Sequence, residues 1–498
     1  MKYCYSATSI FNMKKILLLL LFAQSLWAQN DQKLTEQTVQ TATIKGHIYF
    51  LASDELRGRN TPSPELNIAA KYLSTSLMRY GVQPISSLDG YFQKVPLSNP
   101  PESGSFSVEN ENLLLNEDFI VVNGQGTNIN ADLVFIGQGT DTDFEKANLK
   151  GKIAVTWAGV EGESDPQKWF VLGGDKRKKA EESGALGLIE LYNSQRIPWH
   201  FLVRRMGRSQ LMMEEVATSL PHIWLNASKT EVVKKLKTAN NVQGKLQLKM
   251  PINTNPPTYN VVGMVEGTDP VLKNEYIIYS AHYDHVGIGR ANEKGDTIYN
   301  GARDNAVGVV TVLSAAENIA KYPTKRSALF VFFTGEEKGL LGSNWYANHP
   351  VVPLNKVVYC FNSDNGGYND TSIATIVGLT RTTAQEHIEK ACSAFGIRAI
   401  EDPAKEQGLF DRSDNVNFAK KGVPAPTFSM GFTAFDEEIG KYYHQPGDHA
   451  DNLDYEYLTK FFNAYVYSCR LIANGAATPF WRAGDKYYSA GEKLYPNR

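Results

Sequence analysis

The sequence predicts an α/β protein in which a largely parallel sheet has helices on both faces. Compact, nearly continuous apolar runs are typical of strands that are buried on both sides. Four such runs are present, at 276–279, 328–333, 357–361 and 425–428. Helix-like stretches lie between the runs, most clearly at 306–320 and 382–395. This alternation of strand and helix favours a sheet enclosed by helical layers.

The N-terminal segment 1–28 predicts a secretory signal peptide. Two lysines after Met13 are followed by the short apolar run 16–22 and then by a small residue, Ala28. This order matches the charged region, apolar region and cleavage site of an export signal, and the run is too short to span a bilayer. Residues 1–12 are interpreted as an over-long start, with Met13 as the initiator. We therefore expect a periplasmic or extracellular protein.

The residues that follow the leader, 29–104, are expected to contain a pair of helices. Apolar residues recur at helical spacing over 34–83, and the polar stretch 53–62 interrupts them as a turn. We assign this segment to the N-terminal helical part of the sheet domain.

A separate β-rich module with one or two helices is predicted for 105–250. Short apolar runs such as 133–136 and 152–157 are separated there by glycines. Three prolines in 251–257 make a plausible return linker. The predicted sheet domain then occupies 251–498.

The charge balance excludes some classes of partner. Lysine and arginine number 51 against 53 aspartates and glutamates, for a net charge of -2. Without a polybasic tract, a broad nucleic-acid or lipid surface is not expected, and no stretch after the leader predicts a membrane anchor. The three cysteines beyond the leader are too few and too scattered for a disulfide scaffold, although one bridge is possible.

Chemically active side chains follow the predicted strands. Ligands of open α/β sheets bind beyond the carboxyl ends of the strands. The candidates there, or in two further loops, are His282, Asp284, Asp304, Glu336, Glu337, Asp364 and His444. Each residue alone has an ordinary explanation, such as helix capping for Asp304. Only a shared site explains their common placement after successive strands.

Two imidazoles and three carboxylates, one of them bridging, fit a pair of divalent ions, and zinc is the leading candidate. Two such ions can hold a hydroxide and polarise a carbonyl, which is the chemistry of amide or ester hydrolysis. Hydrolysis also needs a general base that is not a ligand. Glu336 and Glu337 are adjacent and can serve these two different tasks.

The sequence resembles the M28 family of zinc metallopeptidases, which includes secreted aminopeptidases and glutamate-carboxypeptidase-like enzymes. Five segments carry the resemblance in order: 282–284, 301–306, 334–343, 362–364 and 443–446. The resemblance implies a phosphorylase/hydrolase-like fold, with a mixed sheet sandwiched by helices. It covers most of the chain outside the leader.

The resemblance also implies roles for these residues. One zinc ion would be held by His282 and Glu337, the other by Asp364 and His444, and Asp304 would bridge the two. Glu336 would be the general base that takes a proton from the bridging water. Asp284 would hydrogen bond to His282 and fix its tautomer.

The module at 105–250 resembles a protease-associated domain. The likeness rests on 132–137, 149–155 and 180–189. In this family such a domain lies between the N-terminal helices and the metal-bearing sheet. A role in substrate access and a purely decorative role are both open.

Some residues depart from the family pattern. Arg303, Asn365 and Asn415 stand where many members have Asp, Met and His. None is an expected ligand, so they bear on substrate preference rather than on the metal. The remaining nearby imidazoles, His285 and His449, are expected to support the ligands or to lie at the surface.

The sequence therefore predicts an exported di-zinc exopeptidase that acts on peptide substrates, most simply an aminopeptidase. A carboxypeptidase or dipeptidase is the alternative, and it would need a cation such as Arg412 or Arg303 in the pocket to hold the substrate's carboxylate. A non-catalytic binding protein on the same fold is a further reading. The presence of every expected ligand and of Glu336 argues against it.

Overall fold

The computed structural model describes residues 30–163, 166–194, 196–206, 211–213, 220–238 and 242–496. The predicted leader, 1–28, lies outside these residues. The chain forms two compact units. The main unit contains the described residues up to Val95 together with those from Pro256 onward, and the inserted unit is Pro96–Asn255. The module predicted at 105–250 falls inside the inserted unit.

The main unit begins with the helix pair that the sequence predicts. After a helical segment at 30–36 come α1 (Thr41–Leu51), α2 (Pro64–Tyr80), β1 (Gln83–Pro84) and β2 (Phe92–Val95). Local sequence sets both ends of α2. The side chain of Ser63 accepts a hydrogen bond from the Leu66 amide, and Gly81 ends the helix in a left-handed conformation.

The inserted unit is built on a mixed sheet. Its strands are β3 (Leu97–Ser98), β4 (Ser103–Val108), β5 (Glu111–Leu114), β6 (Phe119–Asn123), β7 (Thr127–Phe135), β8 (Ile153–Trp157), β9 (Gly187–Tyr192), β10 (Met212–Met213), β11 (His222–Asn226) and β12 (Gln243–Lys249). Its described helices are α3 (Asp141–Lys146), α4 (Pro166–Glu182), α5 (Trp199–Met206) and α6 (Thr230–Thr238). The eight-stranded order is β5-β4-β12-β7-β8-β9-β11-β6. The expectation of one or two helices was too low, because β8 and β9 run parallel and parallel neighbours need crossover connections.

The second part of the main unit carries most of its sheet. The strands are β13 (Thr258–Val265), β14 (Tyr276–His282), β15 (Gly287–Ile288), β16 (Ile298–Tyr299), β17 (Ser327–Phe333), β18 (Val357–Ser363), β19 (Ile373–Val377), β20 (Arg398–Glu401) and β21 (Thr427–Met430). The helices are α7 (Gly308–Lys321), α8 (Leu341–Asn348), α9 (Gln385–Ala394), α10 (Asn415–Lys420), α11 (Glu437–Gly440), α12 (Tyr455–Asn474) and α13 (Tyr488–Leu494).

The main sheet is mixed, as predicted. Its order is β1-β13-β17-β14-β18-β21-β19-β20, with β2 also paired to β13. Strands β17, β14, β18 and β21 run parallel, while β13 and β19 are antiparallel to their neighbours β17 and β21. The four apolar runs of the sequence contribute to the parallel strands, and every residue of β17 and β18 is buried. The α/β class is therefore confirmed.

Two further expectations concern cysteines and membranes. Cys360, Cys392 and Cys469 are all buried free thiols, so the possible bridge among them is not formed. Over the ranges that the structure describes, none of the helices combines the length and the apolar character needed to cross a bilayer.

Candidate metal centre

Three ligand-bearing loops leave the same edge of the main sheet. His282 is the last residue of β14, Glu336 and Glu337 follow β17, and Asp364 directly follows β18. These strands are parallel neighbours, so their carboxyl ends lie side by side. The apolar strands therefore deliver four polar side chains to one place, as the sequence predicts.

Asp304 and His444 come from irregular segments. Asp304 lies in a wide helical turn, Ala302–Val307, that precedes α7, and its own backbone is not helical, with φ -110° and ψ 94°. His444 has a left-handed backbone with φ 53°. These conformations turn both side chains toward the edge where the strands end.

The five predicted ligands converge with Asp304 in the middle. Nε2 of His282 lies 3.2 Å from Asp364 Oδ1 and 3.4 Å from Asp304 Oδ1. Nε2 of His444 lies 3.1 Å from Asp304 Oδ2 and 3.2 Å from Glu337 Oε1. The two oxygens of Asp304 therefore face two different groups of ligands, which is the arrangement of a bridging carboxylate.

The pairing implied by the resemblance is corrected by this geometry. His282 groups with Asp364, and His444 groups with Glu337. The reason is strand order: β14 and β18 are adjacent, and their ends place His282 beside Asp364, whereas the loop that carries His444 approaches from the side of Glu337.

The donor set fits zinc. In each group the ligand atoms lie within 4.8 Å of one another, and each group combines imidazole nitrogen with carboxylate oxygen. Zinc accepts both kinds of ligand. His282, Asp304 and Asp364 would hold one ion, and Asp304, Glu337 and His444 would hold the other.

The electrostatics of the centre favour cations. Burial lowers the pKa of His282, but the charges of Asp364, Glu336 and Asp304 outweigh burial and raise this pKa well above its ordinary value. Burial also lowers the pKa of His444, but hydrogen bonds with Asp304 and Glu337 raise it to about 10. The carboxylates thus create a negative potential strong enough to hold positive charge on both rings.

The adjacent glutamates have opposite properties. Burial, together with the charges of neighbouring acids, raises the pKa of Glu336 well above its ordinary value. Burial acts in the same direction on Glu337, but hydrogen bonds with His285 and His444 hold its pKa well below the ordinary value. When the environments of two nearby carboxyl groups move their pKa values in opposite directions, one group typically transfers a proton and the other stabilises charge.

Asp284 supports the centre in a different way from the one expected. Its Oδ1 accepts a hydrogen bond of 3.1 Å from the Glu336 amide, while His282 Nδ1 lies 3.9 Å away from that oxygen. The nearer partner of His282 Nδ1 is the backbone oxygen of Asp284, at 3.2 Å. The Asp284 carboxylate therefore positions the glutamate loop, and its backbone sets the His282 tautomer. Burial raises the pKa of Asp284 to about 6.

The segment that carries these residues is similar to a known protein family. Residues 260–468 match the model for peptidase family M28. This segment is a peptidase family M28 domain. The family resemblance drawn from the five ordered motifs is confirmed, and the chain is that of a hydrolase. All five candidate ligands and Glu336 lie within the matched residues.

Two curated relatives illustrate the similarity. Aminopeptidase YwaD of Bacillus subtilis is 25% identical over 370 residues, which are 73% of this chain and 72% of the relative. A probable leucine aminopeptidase 2 of Aspergillus oryzae is 26% identical over 240 residues, and the match spans 46% of its length. Among solved structures, an aminopeptidase from Aneurinibacillus sp. strain AM-1 has a TM-score of 0.50 at 19% identity, covering 90% of this chain and 97% of its own. This last likeness concerns the fold.

His285 contacts the ligands at the centre of the M28 domain, which is the first of the two positions, supporting or surface, that the sequence predicted. The ring is fully buried, and its Nδ1 lies 2.9 Å from Glu337 Oε1 and 3.8 Å from Asp304 Oδ2. It is therefore not at the surface. The signal in the sequence is its position three residues after His282 in a loop that leaves a buried strand. By contrast, His449 is partly exposed and lies 3.4 Å from Asp296.

The turn before α2 supports the metal loops of the M28 domain, a role that the sequence did not reveal. The buried guanidinium of Arg59 donates hydrogen bonds to the backbone oxygens of Leu51, Tyr283, Asn300 and Gly301. The last three precede Asp284 or Asp304 closely in the chain. Burial lowers the pKa of Arg59 to about 10.

Thr61 connects the same turn to the glutamate loop. Its hydroxyl accepts a hydrogen bond of 3.2 Å from the Gly335 amide, next to Glu336. The turn predicted at 53–62 thus contacts three of the loops that carry the site.

The residues that depart from the family pattern do not ligate. Arg303 is buried, pairs with Asp448 at 3.0 Å and stacks on the ring of Tyr442 at 3.7 Å. The amides of Asn365 and Asn415 hydrogen bond to Asn305 and to the Ala425 backbone. Arg303 is thus committed to a structural contact and is not available to a substrate.

A cleft opens onto the centre of the M28 domain. One side is formed by the metal residues and Glu336. The other sides are formed by apolar, hydroxyl and cationic residues, of which the principal ones are Val377, Leu409, Arg412, Ser413, Ser429, Phe432, Phe435 and Tyr443.

Proposed function

We propose that this protein is an exported zinc aminopeptidase that removes the N-terminal residue from peptides. The observation that carries the proposal is the convergence of two ligand groups on Asp304, with Glu336 beside them at a cleft that has apolar walls. The curated relatives named aminopeptidases support the reaction, and the leader predicted at 1–28 supports export.

The centre suits hydrolysis of a peptide bond. Two zinc ions bound there would supply Lewis-acid chemistry, polarising the scissile carbonyl and lowering the pKa of water. Glu336 lines the cleft and is not needed as a ligand, so its carboxylate is free to accept the proton of the attacking water. It then donates this proton to the departing amine nitrogen, as the carbon–nitrogen bond breaks and the carbon–oxygen bond forms.

The other residues keep these groups in place. Asp284 holds the Glu336 amide and thereby orients the base. Burial is the main cause that raises the pKa of Glu336 above its ordinary value, and a higher pKa makes the carboxylate a stronger proton acceptor. Leu409 and Phe432 give the cleft an apolar wall that fits a hydrophobic side chain.

The proposal is tested with the purified mature chain. Release of p-nitroaniline from leucine p-nitroanilide is compared with cleavage of an N-acetylated dipeptide, before chelation, after chelation and after zinc is restored. We expect zinc-dependent activity on the free amine substrate only. Activity restricted to the blocked substrate would instead identify the alternative, a carboxypeptidase or dipeptidase.

A further inference from the structure

Arg412 is an unpaired cation at the rim of the cleft. Its side chain is exposed and lines the cleft together with Leu409 and Tyr443. In the part of the chain that the structure describes, no carboxylate forms an ion pair with its guanidinium. Apart from the two imidazoles of the metal centre, it is the only cationic side chain among the described residues that line the cleft.

Other arginines near the cleft are neutralised. Arg303 pairs with Asp448 at 3.0 Å, and Arg381 pairs with Asp485 at 2.6 Å. The acid next to Arg412, Asp411, is engaged elsewhere, by the Tyr487 hydroxyl at 2.9 Å and by Lys486. Arg412 therefore differs from its neighbours in having a free charge that faces the cleft.

The metal centre does not supply a spare anion for Arg412. The carboxylates that line the cleft belong to Asp304, Asp364 and Glu336. With Glu337 they would be matched in charge by two divalent ions. The guanidinium therefore adds net positive charge on the side where a substrate enters, and its planar donors fit a carboxylate in two parallel hydrogen bonds.

We propose that Arg412 binds a carboxylate of the substrate. The enzyme would then be selective for peptides in which one of the two residues joined by the cleaved bond carries that carboxylate. This inference rests on the proposed peptidase function and names the substrate class of the same site. Two groups have this chemistry: an acidic side chain on the first residue, and the C-terminal carboxylate of a dipeptide. A substrate ammonium group would be repelled by Arg412, so the cation must face an anionic part of the substrate.

The kinetic test uses R412Q and R412K, with R290Q as a control because Arg290 is exposed and lies outside the cleft lining. The substrates are leucine p-nitroanilide, glutamate p-nitroanilide, Leu-Gly and Leu-Gly amide. We expect R412Q to lower kcat/KM about 10- to 100-fold on the substrate that carries the recognised carboxylate, mainly through KM. The loss on leucine p-nitroanilide and Leu-Gly amide should be much smaller, R412K should retain part of the activity, and R290Q should match the parent enzyme.

The pattern of losses identifies the source of the carboxylate. A loss confined to glutamate p-nitroanilide assigns an acidic first residue, and one confined to Leu-Gly assigns the C-terminal carboxylate. An equal effect of R412Q on all four substrates, or no effect on any, overturns the inference. Wild-type enzyme that cleaves none of the substrates after zinc loading contradicts the proposed function instead.

A binding test separates the inference from turnover. In the zinc-loaded E336Q variant, we expect Leu-Gly to bind more tightly than Leu-Gly amide, or glutamate p-nitroanilide more tightly than leucine p-nitroanilide, by calorimetry. The preference should disappear in E336Q/R412Q. Equal affinities for both members of each pair in E336Q would overturn the role of Arg412 even if the enzyme proves to be an aminopeptidase.

Discussion

Nδ1 of His285 lies 2.9 Å from Oε1 of Glu337, so this glutamate is contacted by two imidazoles. His444 approaches the same oxygen at 3.2 Å from the cleft, while His285 approaches it from the protein interior. Backbone packing fixes the His285 ring, since a Cβ at Gly301 would lie 2.7 Å from it. His285 thus orients a metal-binding carboxylate through a hydrogen bond.

Replacement of His285 tests this orientation. In His285→Ala, Glu337 loses a buried partner, and we expect zinc affinity to fall about 10- to 100-fold. Competition with a chromophoric chelator measures the affinity without relying on activity. His449→Ala is the control, because His449 contacts Asp296 outside the cleft lining. Unchanged zinc affinity in His285→Ala would show that Glu337 is held without it.

The grouping of the ligands is tested by zinc stoichiometry. If His282 and Asp364 hold the same ion, the double variant His282→Gln/Asp364→Asn should retain about one zinc per chain. The double variant Asp364→Asn/His444→Gln removes one ligand from each group, so both ions should be lost on dialysis. Elemental analysis gives both values. The reverse result would restore the pairing of His282 with Glu337.

Glu336→Gln tests the general base. The amide keeps the shape of the side chain, and the backbone hydrogen bond from residue 336 to Asp284 does not depend on it. We expect bound zinc to be unchanged and kcat to fall about 10²- to 10⁴-fold. Glu337→Gln is the matched comparison, because it should lose zinc as well as activity. A Glu336→Gln variant of full activity would refute the assignment.

Arg59→Met tests the turn that supports the metal loops. The substitution leaves the backbone oxygens that Arg59 contacts without a donor in a buried place. We expect the free energy of unfolding to fall by about 2–4 kcal/mol. Arg57→Met is the control, because the Arg57 side chain is 58% exposed and should change stability by about 0.5 kcal/mol or less. Urea unfolding of the chelated proteins measures both values.

The buried ring of His47, which is not part of the metal centre, makes stability depend on pH. Burial, with a smaller contribution from the Arg79 charge, lowers its pKa to about 4, and its ring contacts the hydroxyls of Tyr72 and Tyr80. In the unfolded chain the His47 ring binds a proton as the pH falls below about 6.5, whereas in the folded protein it stays neutral until the pH nears 4. The stability that His47 contributes is therefore fully present above about pH 6.5 and is lost as the pH falls toward 4.

Between pH 7 and pH 5 this effect amounts to about 2 kcal/mol. His47→Gln should remove it, so that the variant loses less stability than the parent over this interval. Urea unfolding at the two pH values, with chelator present, provides the comparison. An equal loss in the parent and the variant would exclude His47 as the source.

The sequence was sufficient for the fold class and for the candidate ligands because both depend on local patterns. Runs such as 328–333 are apolar on both faces, and only a covered parallel strand buries them fully. The ends of such strands meet at one edge, so His282 and Asp364 could be assigned to one site from their positions alone.

Strand order and the packing of distant segments decided the rest. The neighbouring positions of β14 and β18 pair His282 with Asp364, and no spacing in the chain encodes that adjacency. The role of Arg59 depends on contacts with residues more than 200 positions away, such as Tyr283.

Arg303 and Arg412 were equivalent candidates in the sequence for holding a substrate carboxylate. The structure separates them, because Asp448 neutralises Arg303 in the interior, while Arg412 at the cleft has no ion-pair partner among the described residues. Sequence by itself determined which chemical groups this protein possesses and at which edge of the sheet they gather. Tertiary structure alone decided which of these groups are paired, because a charge is neutralised by what lies next to it in space.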